Sequence, residues 1–155
     1  MSTSFRNFTK KIKIYSSSNP GTVQVASVTD LVTANSRAYL TFDNISFEGA
    51  NSDAFNISYS NNIVIQNCDI SFSGDDAVYC YPNSPSITVQ NCIINNSNNA
   101  GINAASSDNA VIRNNTVNNT GIFAGMGKSV GGNYEGIISN GNNGEVSYNV
   151  IKNTG

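Results

Sequence analysis

"IVIQNCDISFSG" (residues 63–74) returns as "ITVQNCIINNSN" (residues 87–98), and the two can be laid over one another with strand-forming and turn-forming residues in the same places. The match extends both ways along the chain. "LTFDNISFEG" begins at Leu40, "AVIRNNTVNNTG" at Ala110 and "GEVSYNVIKNTG" at Gly144, so successive starts lie 23, 24, 23 and 34 residues apart. A period of this size marks a stacked-repeat architecture, in which each unit buries its apolar face only against its neighbours. The long final step predicts an insertion of about eleven residues, placed in the glycine-rich stretch 121–133.

A second, shorter segment precedes each following unit: "AFNIS" from Ala54, "AVYCY" from Ala77, "GINAA" from Gly101 and "GIISN" from Gly136. Alternation puts Phe55, Val78, Ile102 and Ile137 in one inward column, and Ile57, Cys80, Ala104 and Ser139 in another. The longer segments give the columns Leu40, Ile63, Ile87, Ala110; Phe42, Ile65, Val89, Ile112, Val146; and Phe47, Ile70, Ile94, Val117, Ile151. The 3.6-residue pattern of an amphipathic helix is absent. Stacking like on like at about 4.8 Å builds a core along the axis. The fold predicted is therefore all-β, a right-handed parallel β-helix of about five coils, in one domain over residues 1–155. Residues 1–38 are expected to form an irregular first coil, with "KIKIY" and "TVQVA" as strands and "SSSNPG" as the turn between them. Regular coils are expected over 39–155.

Composition narrows the partners. Charged residues are 12% of the 155, with a formal net charge of -2, which argues against a nucleic-acid surface or a polybasic membrane anchor. No apolar run approaches the roughly 20 residues of a membrane span, and no charged-then-apolar leader opens the sequence. Cys68, Cys80 and Cys92 lack metal-ligand spacing and there is no histidine, so neither a metal nor another cofactor is expected. The cysteines are read as buried structural residues, with a Cys68–Cys92 disulfide left open.

Asparagine, at 27 residues, is the compositional outlier. Asn44, Asn67, Asn91 and Asn114 recur at the bend after the first strand, where asparagine tolerates a left-handed backbone and can bond to the same amide one coil away as a ladder. The following column runs Ile45, Cys68, Cys92, Asn115, Asn149. The last two are expected to satisfy each other inside the stack.

The stretch "NSDAFNISYSNNIVIQNCDISFSGDDAVYC" (residues 51–80) resembles the central coils of polygalacturonase-type glycoside hydrolases, in which an Asn-Thr-Asp motif is followed one coil later by Gly-Asp-Asp. The resemblance implies three aspartates gathered on one face for inverting hydrolysis of polygalacturonate, one as acid and the others activating water. The matching residues are Asp53, Asp75 and Asp76, the catalytic candidates. It covers about 30 of the 155 residues. Where that family has Gly-His-Gly this chain reads "NAGIN", and where it has Arg-Ile-Lys it reads "YEGII". Asp53, Asp76 and Glu135 also stand where the short strand begins, a place at which Asn or Asp serves the turn. The wider pattern is similar to β-helix repeat proteins of secreted bacterial carbohydrate-processing systems.

Asn56, Tyr79, Tyr81 and Asn103 are the substrate-binding candidates, since exposed aromatics beside carboxylates suit stacking on a sugar ring. The run "GIFAGMGKSVGGN" lacks the Gly-Lys-Ser/Thr spacing of a phosphate loop and is read as a surface loop. Arg113 is expected on another face. The function expected is an extracellular or cell-surface module contacting polysaccharide, acidic polysaccharides included, without hydrolysis by this chain alone. Two other readings stand beside it: a solenoid subunit associating head to tail into a filament, and a fragment of an active polysaccharide hydrolase or lyase.

Overall fold

The computed structural model describes residues 12–15, 24–25, 29–121 and 134–155. Its strands fall into triplets in chain order. The first is β1 (Ile12–Tyr15), β2 (Gln24–Val25) and β3 (Val32–Asn35); the second is β4 (Leu40–Asp43), β5 (Ser46–Ala50) and β6 (Phe55–Ser58). The third is β7 (Val64–Gln66), β8 (Asp69–Ser73) and β9 (Val78–Cys80); the fourth is β10 (Thr88–Gln90), β11 (Ile93–Ser97) and β12 (Ile102–Ala104). The fifth is β13 (Val111–Arg113), β14 (Thr116–Thr120) and β15 (Ile137–Ser139), after which β16 (Glu145–Ser147) and β17 (Val150–Thr154) begin another.

First members of each triplet pair only with first members, second with second and third with third. The result is three parallel sheets of six, six and five strands, called A, B and C in chain order. The register follows the repeat: Thr41 lies beside Val64, Phe47 beside Ile70 and Phe55 beside Val78. These facts bear out the parallel β-helix. The core is the set of inward columns, with Phe55, Ile57, Ile65, Ile70, Val78, Cys80, Ile94, Ile102 and Val117 wholly buried. Phe42, Phe47 and Phe55 meet edge to face at centroid distances of 4.6 to 6.3 Å, filling the wide interior of the second triplet.

Three details depart from the sequence reading. Within the first coil, expected to be irregular, β3 is a regular sheet C strand pairing Val32 with Phe55 and Ala34 with Ile57. The last members of two inward columns, Val146 and Ile151, are 51% and 45% exposed, since no described strand lies beyond β16 and β17 to cover them. At the bend after sheet A, Asn44, Asn67, Asn91 and Asn114 adopt the expected left-handed conformation, with φ of 54° to 61°. The side-chain ladder there runs through the preceding residues: Gln66 donates to Asp43, Gln90 to Gln66, and Arg113 to Gln90. Asn67 itself donates to Asp43 at 2.7 Å. The side chains of Asn67, Asn91 and Asn114 are exposed, where water competes for their amides.

Asparagine ladders stand elsewhere. Asn115, 1% exposed, donates to Val89 O and to Asn149 Oδ1, and its own Oδ1 accepts the Cys92 amide at 2.9 Å. Asn149 continues the pattern by donating to Ile112 O. All three cysteines are buried thiols; Cys68 Sγ donates to Gln66 O at 3.1 Å and Cys92 Sγ to Gln90 O at 3.3 Å. The expected insertion beyond Gly121 and the turn over Ser16–Gly21 lie outside the described residues.

Candidate functional site

Sheet C gathers the residues picked out by sequence. Its outward column is Thr33, Asn56, Tyr79, Asn103 and Ile138, each beside the next across the parallel register. Tyr81 follows β9, is exposed, and lies 6.1 Å from Tyr79, centroid to centroid, at a 40° tilt. Arg113 lies on sheet A, apart from this face, as its place in the repeat implied.

The aspartates sit at the strand entrances, and one carboxylate oxygen from each of Asp53, Asp75 and Asp76 lies within 4.8 Å of the others. They are not equivalent. Asp53 and Asp76 are buried, and each caps the coil that follows. Asp30 Oδ1 accepts the Asp53 amide at 3.2 Å, Asp53 Oδ1 accepts the Asp76 amide at 3.1 Å, and Asp76 Oδ1 accepts the Ala100 amide at 2.8 Å. The second oxygens are engaged as well: Asn56 donates to Asp53 Oδ2 and Asn103 to Asp76 Oδ2. Buried backbone N–H groups need such partners, so this acid column does structural work at a turn, as its position at the strand entrance suggested. Asp75 alone of the three is exposed. The glycine before it is needed for close approach, because a Cβ on Gly74 would run into the Asn51 carbonyl.

Burial governs the charge state. It pushes the Asp53 carboxyl up to about 7, against the lowering effect of the Asp76 amide it accepts, with Asp76 and Asp75 adding repulsion. Asp76 is pushed up to about 6, again first by burial. Burial and then the charges of Asp53 and Asp76 raise the Tyr79 phenol, which keeps it a neutral donor. Cys80, wholly buried beneath this face, has its thiol raised first by burial and is correspondingly inert. The three carboxylates could be drawn onto a divalent cation. Asp53 and Asp76 would then share oxygens already holding the turn.

Two members of this region escaped the sequence reading. Asp30 belongs to the same acid column and was legible, since it precedes Asp53 by 23 residues, one full repeat. Tyr59, 55% exposed at the end of β6, donates its amide to Pro82 O at 2.9 Å and so stands beside Tyr81's neighbour in the next coil. Its left-handed backbone, φ 51°, takes it out of the alternation that located the other tyrosines. Glu135 continues the column beyond Ala100 and adds repulsion at Asp76.

The family model described as right handed beta helix region matches residues 4–155. No curated protein and no solved structure matches the chain.

Proposed function

We propose, for a chain that belongs to the right-handed β-helix region family, that the outer face of sheet C contacts polysaccharide, and that it does so as a binding surface outside the cell or on its surface rather than as a hydrolase. The observation that carries this reading is the alignment of Asn56, Tyr79 and Asn103 in one outward column beside exposed Tyr81 and Tyr59. Tyrosine offers an apolar face for a sugar ring and a hydroxyl for its edge. Support for binding over cleavage comes from the hydrogen bonds of Asp53 and Asp76, whose four carboxylate oxygens are occupied by backbone and asparagine donors. A general acid and base need oxygens turned to substrate and water.

Calorimetric titration with polygalacturonate and with neutral glycans tests it. Tyr81→Ala should weaken binding by about tenfold, equivalent to about 1.4 kcal/mol. For an acidic glycan, affinity should rise from pH 8 to pH 5, because Asp53 and Asp76 take up protons near pH 7 and 6 and the face loses negative charge. Absence of binding to every glycan at millimolar concentration ends the proposal.

A second reading rests on a different observation. The edge made by β15, β16 and β17 exposes Val146, Val150 and Ile151, and Val146 and Ile151 continue the inward columns. A parallel coil laid on this edge, from a second copy stacked head to tail, would bury them. Sedimentation should then show concentration-dependent growth abolished by Ile151→Lys; a monomer at all micromolar concentrations refutes stacking.

A further inference from the structure

The outer face of sheet B carries a second polar groove, of about 400 Å³, with Phe72 at one side and Glu48, Asp69, Asn95 and Asn96 along it. Phe72 is 54% exposed and has φ of 59°. Its column reads Gly49, Phe72, Asn96, Asn119, Asn153, every member left-handed. Glycine enters that region freely and asparagine tolerates it; Phe72 is the one aromatic member of this column, while Tyr39, Tyr59, Tyr134 and Tyr148 are left-handed aromatics elsewhere in the chain. The backbone therefore disfavours phenylalanine at this position, and the ring gains little by burial in return.

The neighbouring amides point to what the ring accompanies. Asn153 donates to Asn118 at 2.8 Å and Asn118 to Asn95 at 3.3 Å; beside them Asn119 donates to Asn96 at 3.1 Å. Asn95, Asn96 and Asn118 thus each accept from the coil after them, and aligned amide dipoles polarise the last member. Both chains end at the groove. The preceding coil offers Ser71 in one column and Phe72 in the other, and neither Asn95 Nδ2 nor Asn96 Nδ2 donates to a described residue. Two N–H donors, a ring face and two carboxylates stand together, the donors without a partner among the described residues.

We infer that this groove is a subsite for an uncharged pyranose unit of a glycan, distinct from the face on sheet C. The amides donate to vicinal sugar hydroxyls, Asp69 accepts a hydrogen bond from a hydroxyl, and Phe72 stacks on the C–H face of the ring. The Asp69 carboxylate disfavours an acidic sugar, which separates this subsite from one for polygalacturonate.

The test is a nuclear magnetic resonance titration of the whole chain with cellohexaose, xylohexaose and mannohexaose, and separately with oligogalacturonate. At least one neutral hexasaccharide should move the side-chain amide signals of Asn95 and Asn96 and the Phe72 ring saturably. Phe72→Asn places the column's own residue at the strained position. It should raise the melting temperature while weakening that binding about tenfold, a combination that a packing role for Phe72 would not produce. The inference is overturned if no neutral hexasaccharide shifts these signals at millimolar concentration, if the shifts lie on sheet C alone, or if Phe72→Asn binds as tightly as the original chain. Tyr81→Ala should leave these shifts in place, so failure here and failure of the sheet C proposal read out separately.

Discussion

Two columns of polar side chains cap successive coils in this solenoid, and they do so with opposite chemistry. At the entrances of sheet C the column is acidic: the carboxylates of Asp30, Asp53 and Asp76 each accept the backbone amide of the next coil. Before sheet B the column ends in amides, where Asn115 and Asn149 both accept and donate. An amide is neutral and self-complementary, so one can stack on another at no electrostatic cost. A carboxylate only accepts while charged, and its neighbours in the column repel it. The amide column is thus a pH-independent staple, while the acid column is a staple whose charge depends on pH.

The largest expected effect comes from removing the self-complementary member. Asn115→Ala leaves the Cys92 amide, the Val89 carbonyl and Asn149 without their partner in the core. The loss should be about 3 kcal/mol in urea unfolding, the cost of stranding two or three buried polar groups. A loss well under 1 kcal/mol would mean that water or neighbouring side chains satisfy them, and the contrast between the columns would weaken.

A smaller effect sharpens the contrast from the acid side. Asp53 and Asp76 titrate near 7 and 6 in the fold, against 3.8 ordinarily, so between about pH 4 and pH 7 the folded chain holds more protons than the unfolded one. Stability must then fall as pH rises through that window. The melting temperature should be several degrees lower at pH 8 than at pH 5. In the doubly substituted Asp53→Asn, Asp76→Asn chain, this difference should shrink, since Asn keeps the acceptor oxygen and removes the charge. A melting temperature that rises with pH from 5 to 8 in the original chain contradicts the account.

The 23-residue interval was enough to read the parallel stacking and the inward columns and to set Asp76 one coil from Asp53, because in a solenoid sequence spacing converts directly into register. It also contained β3, whose Val32 precedes Phe55 by the same interval, though the stretch lacks the apolar run that marks the later strands. Chemistry at the strand entrances was not legible. Asp-Ala before an apolar strand has the same letters whether the carboxylate faces a substrate or accepts the next coil's amide, and only the hydrogen bonds of Asp53 and Asp76 distinguish the two.

Strand alternation determined the faces wherever the backbone stays extended, and it lost them wherever the backbone turns left-handed. Counting by twos from buried Ile70 would put Phe72 in the core; the left-handed φ of 59° instead turns the ring to solvent and leaves Ser73 inside. The same reversal occurs at Gly49 and Asn96, so it belongs to the shape of sheet B rather than to the residue. Period and composition are properties of the chain and were available at once. Which side chain meets which amide, and which ring is left facing water, depends on single backbone angles that stacking between coils selects, and these the tertiary structure alone decided.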